Sequence, residues 1–133
     1  MDRRPYRPAN EVMHPGVFTI DGMATAAEAI AQMKKHGVTA LVVERRGPED
    51  AWGTVSLLDL ARGVISQGLN PAMVNVYEIM TKPIVTIRED MDAHHVAQLF
   101  VNLKLRRAPV SNAKGELVGM ITLSDVVLGI HES

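Results

Sequence analysis

The sequence has no cysteine, no long hydrophobic run and almost no net charge. Its 15 acidic and 14 basic side chains leave a formal charge of −1 over 133 residues. The absence of cysteine excludes disulfides and cysteine-ligated zinc, and it suits a reducing compartment. The balanced charge argues against general polyanion binding, which usually needs a basic excess.

Segments that would carry the chain to or into a membrane are also missing. The N-terminal stretch "MDRRPYRPAN" contains no apolar core of a secretion signal. No uninterrupted apolar run approaches the ~18 residues that a membrane helix needs. Hydrophobic residues nevertheless make up 47% of the chain, which is enough to build a core at this length. We therefore expect a soluble, cytoplasmic protein without membrane contact.

The chain contains two related halves. The stretch "EVMHPGVFTI" at 11–20 aligns with "EIMTKPIVTI" at 78–87, and this offset of 67 residues continues through the next helix and strand. Past the following turn the offset becomes 66, which superimposes the pattern "SLLD" on "TLSD". Loops tolerate such a one-residue length change. The series in register predicts a tandem repeat.

Each half predicts the order β-α-β-β-α. The segment "TAAEAIAQMKKH" has a capping box at Thr25 and Glu28 and a natural stop at Gly37, so it predicts a helix. Its counterpart is "DAHHVAQLFVNLKL", with apolar residues on one face. Short β-rich runs precede both helices, two strands joined by a turn follow each, and a second helix ends each half.

These elements predict an α+β fold with α/β-type layers. We expect two β-α-β-β-α repeats related by a pseudo-two-fold axis, with their sheets packed against each other, because one repeat alone is marginally stable. The predicted boundaries are a flexible N-terminal arm at 1–10, a first repeat at 11–68, a connector at 69–76 and a second repeat at 77–133.

The segments "EIMTKPIVTI", "RRAPVSNAKGELVGMITLSD" and "HGVTALVVE" resemble the cystathionine-β-synthase (CBS) domain family, whose tandem pair is called a Bateman module. The likeness covers about residues 11–131. The first half departs from it where Val42 stands in place of the Pro109 of the second half, and where "RRGPEDAW" replaces a short turn. The resemblance implies a regulatory module that binds AMP, ADP, ATP or a related adenosyl compound in clefts between its repeats. Binding would transmit a conformational change to an effector protein.

The motifs Thr122-x-x-Asp125 and Ser56-x-x-Asp59 have two interpretations. Ser or Thr followed three residues later by an acid is how many helices begin, so each motif predicts a cap. A helix N-terminus also suits polar oxygens and phosphate, and in the family that the chain resembles this Asp commonly binds ribose hydroxyls. Both interpretations hold together without conflict.

The resemblance extends to further ligand-binding residues, with basic side chains before a strand serving phosphate. For the site of Asp125 the predicted members are Thr122, Met120, Val38, Thr39, Phe18 and either Arg106 or Arg107, since adjacent strand residues point to opposite faces. For the site of Asp59 they are Ser56, Thr54, Val85, Leu105 and Arg106. The first half has no cation where the second has its arginine pair, so the two clefts should differ in charge.

No pattern indicates catalysis or a metal site. The sequence has no Gly-x-Ser-x-Gly, no P-loop and no G-x-G-x-x-G, so we expect no enzyme, no catalytic residue and no catalytic cofactor. The adjacent His94 and His95 point about 100° apart on a helix and should be surface residues rather than metal ligands.

Partners are predicted more broadly. The last helix of each half has more aliphatic residues than one face can bury, which favours a homodimer. The alternative to a nucleotide sensor is a ligand-free interaction or dimerisation module that regulates an enzyme or transporter. A third, weaker hypothesis is nucleic-acid binding through the basic arm together with Arg45, Arg46, Arg106 and Arg107.

Overall fold

The computed structural model describes residues 5–130, with Ile130 described by its backbone alone, and divides them into two compact units. The first unit comprises residues 18–84, and the second comprises residues 5–17 together with 85–130. No helix within residues 5–130 is long and apolar enough to cross a membrane.

The secondary structure follows the predicted β-α-β-β-α order twice, with additional short elements. In chain order the elements are α1 (Ala9–Val12), β1 (His14–Pro15), β2 (Thr19–Ile20), α2 (Ala26–His36), β3 (Ala40–Val43), β4 (Gly53–Ser56), α3 (Leu57–Leu60), α4 (Val76–Ile79), β5 (Ile87–Arg88), α5 (Ala93–Leu103), β6 (Arg107–Ser111), β7 (Leu117–Thr122) and α6 (Leu123–Ile130). A π-helix, Ala61–Ile65, continues α3, and a 3-10 turn, Pro71–Met73, precedes α4.

Each unit has one sheet built on the same plan. In the first unit the strand order is β2-β3-β4, with β2 parallel to β3 and β3 antiparallel to β4. In the second unit β5 is parallel to β6, β6 is antiparallel to β7, and β1 adds a fourth strand beside β7. The predicted mixed fold with two sheets is confirmed.

The predicted ends of α2 are confirmed atom by atom. The Oγ1 of Thr25 accepts the N–H of Glu28 at 3.1 Å, and the Glu28 carboxylate accepts the N–H of Thr25 at 3.4 Å. Gly37 ends the helix with φ 66°, a conformation that glycine adopts without a steric penalty. In α5 the side chain of Asp92 is the cap, and Lys104 takes the same left-handed role with φ 57°.

Two short helices, α1 and α4, pack within the unit formed mainly by the other repeat. The N–H of Ala9 in α1 donates to the carbonyl of Met91 at 2.8 Å, and the N–H of Val76 in α4 donates to the carbonyl of Ala24 at 2.8 Å. The helix that precedes each sequence repeat therefore docks within the unit that contains most of the other repeat. The predicted boundaries divide the chain by sequence similarity and stay a prediction, because the compact units cut it differently.

The end of the arm predicted for residues 1–10 makes specific contacts in the second unit. The carbonyl of Arg7 accepts the N–H of Ala93 at 2.7 Å, the hydroxyl of Tyr6 donates to the carbonyl of Asp90, and Ala9 is fully buried. These residues therefore pack within the second unit, and the predicted bounds of the arm stay a prediction. Residues 1–4 of that arm lie outside the described residues.

Each unit has a hydrophobic core of its own. Leu41, Val55 and Val64 are at most 1% exposed in the first unit, and Phe100 and Ile121 are equally buried in the second. A glycine at an equivalent position lets each exchanged helix approach closely. A Cβ on Gly63 would lie 2.5 Å from the Ile79 side chain, and one on Gly129 would lie 2.9 Å from that of Val12.

Candidate functional site

Both acidic motifs form the predicted helix caps. At α6 the Oγ1 of Thr122 accepts the N–H of Asp125 at 3.1 Å, and Oδ2 of Asp125 accepts the N–H of Thr122 at 2.8 Å. At α3 the Oγ of Ser56 accepts the N–H of Asp59 at 3.3 Å, and Oδ2 of Asp59 accepts the N–H of Ser56 at 2.8 Å. Each carboxylate thus uses one oxygen, Oδ2, for the backbone.

The other carboxylate oxygen contacts a side chain from the segment that precedes β2 in the first half of the chain and β5 in the second. The Nε2 of His14 lies 2.8 Å from Oδ1 of Asp125, and the Oγ1 of Thr81 donates to Oδ1 of Asp59 at 3.0 Å. His14 and Thr81 occupy the same place in the repeat at the 67-residue offset. The sequence prediction did not include either residue, although the alignment of the halves shows that they occupy corresponding positions.

Backbone pairing brings these two side chains to the motifs. His14 pairs with Met120 across β1 and β7, and Thr81 forms an equivalent antiparallel bridge with Thr54. In the first unit the bridge has two hydrogen bonds, of 2.9 Å and 2.8 Å, between the backbones of Thr54 and Thr81. Met120 and Thr54, both predicted site residues, therefore lie where the preceding segment crosses the motif strand.

The two sites differ in how fully the carboxylate is enclosed. Asp59 is 8% exposed and accepts a third hydrogen bond, from the Oγ of Ser56 at 3.0 Å. The side chain of Asp125 is 12% exposed, whereas that of its neighbour His14 is 72% exposed. Moving one solvent-facing imidazole would therefore open Oδ1 of Asp125 to a ligand.

One further predicted residue lies beside each motif, although Thr39 was predicted for the site of Asp125 and lies beside the motif of Asp59. The carbonyl of Arg106 accepts the N–H of Leu123 at 2.8 Å, and the carbonyl of Thr39 accepts the N–H of Leu57 at 3.1 Å. Arg107 begins β6 opposite Thr122 in the strand register. The side chains of both arginines are exposed. In the second unit, the arginine pair thus lies at the end of the sheet where β7 finishes at Thr122 and α6, which contains Asp125, begins.

The remaining predicted residues are spread over both units. Val38 is half-buried and Phe18 is 45% exposed, with its ring stacked on that of His36 at 4.0 Å between centroids. Leu105 is half-buried and Val85 is 36% exposed in the second unit. The predicted combination of residues from opposite repeats around one ligand stays a prediction.

The histidine pair of α5 is exposed, as the sequence suggested. The rings of His94 and His95 lie 4.1 Å apart, and Nδ1 of His94 is 3.2 Å from a carboxylate oxygen of Asp92, the residue that caps the helix. Within residues 5–130 no group of three histidine, aspartate or glutamate side chains is placed to hold a metal ion.

Comparison with known proteins now decides the family. The family model for the CBS domain matches the chain twice, at residues 9–66 and 76–132. The chain belongs to the CBS domain family. The resemblance carried by the three sequence segments is thereby confirmed, and so is the fold of a CBS pair.

Curated relatives match most of the chain. An uncharacterised protein of Methanopyrus kandleri is 33% identical over 117 residues, covering 88% of this chain and 59% of the relative. The mitochondrial CBS domain-containing protein CBSX3 of Arabidopsis thaliana is 32% identical over 112 residues, covering 81% of this chain and 54% of the relative. This CBS pair thus spans somewhat over half the length of these two relatives.

Solved structures show the same fold. The hexameric CBS-CP12 protein of bloom-forming cyanobacteria is 38% identical with a TM-score of 0.86, covering 94% of this chain and 72% of that chain. The CBS domain of a bacterial CNNM/CorC family Mg2+ transporter, solved in complex with ATP, is 25% identical with a TM-score of 0.76. That match covers 92% of this chain and 86% of the other.

Proposed function

We propose that this CBS pair is a regulatory module that binds an adenine nucleotide at the motif of Thr122 and Asp125, and more weakly at that of Ser56 and Asp59. AMP, ADP, ATP and related adenosyl compounds are the candidate ligands. Pairs of CBS domains are regulatory modules, which supports the general role. The related CBS domain of the Mg2+ transporter is complexed with ATP, which supports the ligand class.

The observation that carries the proposal is that the two oxygens of each carboxylate have different partners. Oδ2 of Asp125 completes the helix cap, whereas Oδ1 contacts only the exposed His14 side chain among the contacts described. A ribose diol offers two O–H donors that can take the place of the imidazole at Oδ1. The cap would then persist while the ligand binds.

The surroundings of Asp125 also suit a phosphate. Arg107 begins β6, the strand beside β7, Arg106 precedes it, and both side chains are exposed. A guanidinium pairs with phosphate through two parallel hydrogen bonds. The first unit has Thr39 where the second has Arg106, so it offers no cation at that place. We expect this difference to make the Asp125 site the tighter one.

Signal transmission would run through the segment that ligand displaces. His14 lies in β1, which is paired with β7, and the same segment leads back to α1. Replacing the His14 contact by a ribose would favour one arrangement of this segment over another. A ligand shifts an equilibrium only through such unequal affinity for two states. The effector that reads the shift would be a partner protein.

We further propose that the module forms a homodimer through its motif helices. Leu57 and Leu58 in α3 are 54% and 61% exposed, and Val127 and Leu128 in α6 are 51% and 66% exposed. Large apolar side chains side by side on a helix favour contact with a second apolar surface. The similar cyanobacterial CBS-CP12 protein is hexameric, so association between CBS pairs has a structural precedent.

A thermal-shift panel of AMP, ADP, ATP, S-adenosylmethionine and GTP tests the ligand proposal. A ligand that binds only the folded state raises stability by RT ln(1 + [L]/Kd), about 2.7 kcal/mol at a hundredfold excess over Kd. We expect an adenine compound to raise the melting temperature of the wild type and not that of Asp125→Ala. Ser124→Ala, an exposed neighbour in α6, is the matched control.

If no compound shifts the wild type at millimolar concentration, the nucleotide proposal fails and the motifs are caps alone. The second candidate function, a ligand-free interaction module, would then stand. It is favoured by the same exposed leucines and valines, and sedimentation of the wild type against a Leu58→Glu, Leu128→Glu variant would test it.

A further inference from the structure

A cavity lies at the end of the first unit away from Asp59. It has a volume of about 350 Å³ and is lined by residues that include Asp21, Arg46, Tyr77, Met80 and Lys82. The strand register separates it from the motif, because Val43 pairs with Gly53 at this end whereas Ala40 pairs with Ser56 at the other. At about 3.3 Å per residue, the two ends are roughly 10 Å apart.

The cavity is built by the loop that distinguishes the two repeats. The stretch "RRGPEDAW" has no counterpart of equal length in the second half, and its first residues line the cavity. The Asp50 carboxylate accepts the N–H groups of Arg46 and Ala51, each at 2.9 Å. It also pairs with Nζ of Lys82 at 2.7 Å, which fastens the loop to the segment carrying Thr81 and Lys82.

The neighbouring cation is also held in place. The guanidinium of Arg45 lies 4.9 Å from the ring centroid of Trp52 and donates to the carbonyl of Pro48 at 3.3 Å. Such contacts preorganise the wall, so a ligand would lose less entropy on binding. The side chains of Arg45 and Asp50 are thus held by specific partners.

One charged group of the wall lacks such a partner. The guanidinium of Arg46 makes no hydrogen bond or ion pair with the described residues, although its backbone is tied to Asp50. The two carboxylates of the wall are partly occupied, since Asp21 accepts the N–H of Met23 at 2.8 Å and Glu44 accepts the hydroxyl of Thr19 at 3.2 Å. Because Arg46 is exposed and has no partner among residues 5–130, its guanidinium donors face solvent and are available to a ligand.

Apolar groups complete the cavity. Val43 is 3% exposed, Met80 is half-buried, and Tyr77 is 47% exposed. Ligand sites commonly combine such apolar and aromatic walls with a few placed polar groups. A thioether and an aromatic ring both favour contact with a planar or apolar body.

We infer that this cavity binds a small organic anion, a carboxylate or phosphate monoester carried on an aromatic or apolar body. The Arg46 guanidinium would hold the anionic group through its fork of N–H donors, and Tyr77 and Met80 would contact the body. This site is separate from the nucleotide site, and it does not depend on the proposed function.

The second unit provides an internal control. Its equivalent cavity, of about 370 Å³, is lined almost entirely by polar side chains, among them Arg88, Asp90, Asn112 and Lys114. There Arg88 already pairs with Asp90 at 3.6 Å. Lacking an aromatic or thioether wall, this cavity should not take the same ligand.

The test is a ¹H–¹⁵N NMR titration of the full chain with phenyl phosphate, benzoate and inorganic phosphate. We expect the amides of Arg46, Tyr77 and Lys82 to shift with at least one aromatic anion, and inorganic phosphate to act more weakly because it lacks the apolar body. Arg46→Ala should weaken binding about tenfold or more, whereas Lys114→Ala should leave it unchanged.

Three results would overturn the inference. They are the absence of shifts with both aromatic anions at about 10 mM, equal binding by Arg46→Ala and the wild type, and shifts confined to residues 112–116. The probes lack adenine and ribose, and the readout is the amides of Arg46, Tyr77 and Lys82. Phosphate bound beside Arg106 would therefore be recognised by shifts at other residues. The Asp125→Ala variant should bind them as the wild type does, which separates this failure from a failure of the proposed function.

Discussion

The two acidic motifs share one backbone frame and differ in the side chain brought to it. In both units a capping box holds the aspartate, and an antiparallel bridge delivers a residue to Oδ1. That residue is Thr81 in the first unit and His14 in the second. The repeat therefore fixes the position of the carboxylate, whereas the segment before β2 or β5 determines which side chain a ligand must displace.

The largest expected effect comes from replacing the glycine where the preceding segment crosses the motif strand, Gly53 or Gly119, by alanine. A Cβ on Gly119 would lie 2.5 Å from the carbonyl oxygen of His14, whereas one on Gly53 would lie 3.1 Å from that of Thr81. We expect Gly119→Ala to cost about 1–3 kcal/mol because backbone must shift, and Gly53→Ala to cost less. Urea unfolding of both variants measures the difference, and equal costs would break the comparison.

The next largest effect should come from the aspartates themselves. Asp59→Ala removes the acceptor of three hydrogen bonds in a buried site, and Asp125→Ala removes a cap and one exposed contact. We expect a loss of about 2 kcal/mol for Asp59→Ala and about 1 kcal/mol for Asp125→Ala. Chemical denaturation without ligand checks this order. A greater loss for Asp125→Ala would show that enclosure does not set the strength of the cap.

Removing the His14 side chain should increase the difference in AMP affinity between the two sites. In His14→Ala, Oδ1 of Asp125 faces solvent before a ligand arrives, so the affinity for AMP should rise by about fivefold, the equivalent of one ordinary hydrogen bond. Thr81→Ala is the matched variant of the first unit. Calorimetric titration measures both, and unchanged or weaker binding by His14→Ala would mean that the imidazole assists the ligand rather than competing with it.

The smallest expected effect concerns the loop that only the first repeat has. Its hydrogen bond from Lys82 lowers the pKa of Asp50 to about 2. A lowered carboxylate pKa stabilises the fold above the ordinary value near 4, and this contribution is lost as the pH falls toward 2. The melting temperatures of the wild type and Lys82→Ala should therefore converge between about pH 4 and pH 2.

The control for this pH series is Lys114→Ala in the turn of the second unit. It should follow the wild type throughout, because Lys114 forms no such pair with a carboxylate among the ion pairs described. A constant gap between the wild type and Lys82→Ala at all pH values would assign the role of Lys82 to packing rather than to charge.

The repeat made much of the fold predictable. Alignment of the halves, the capping box of Thr25 and Glu28 and the stop at Gly37 all report local chemistry, which the sequence displays directly. The four-residue helices α1 and α4 were not predicted, since one turn has too few residues to show a 3.6-residue period. Their exchange between units depends on docking, which sequence order does not reveal.

The site was predictable only in part for a similar reason. The caps at Asp59 and Asp125 follow from spacing alone. The contacts of His14 and Thr81 join residues far apart in sequence, and they arise from bridges whose register depends on the close approach that Gly53 and Gly119 permit. Alignment of the two halves showed that these positions correspond, but not that they face a carboxylate.

One measurement tests the central claim, that Asp125 binds ribose while it caps α6. The affinities of AMP and of its 2′,3′-dideoxy analogue are measured calorimetrically for the wild type and for Asp125→Asn, which keeps a side-chain oxygen for the cap. The account predicts that the wild type prefers AMP by about tenfold or more and that the variant loses this preference. Equal affinity of the wild type for both nucleotides, or the same preference in the variant, would contradict it.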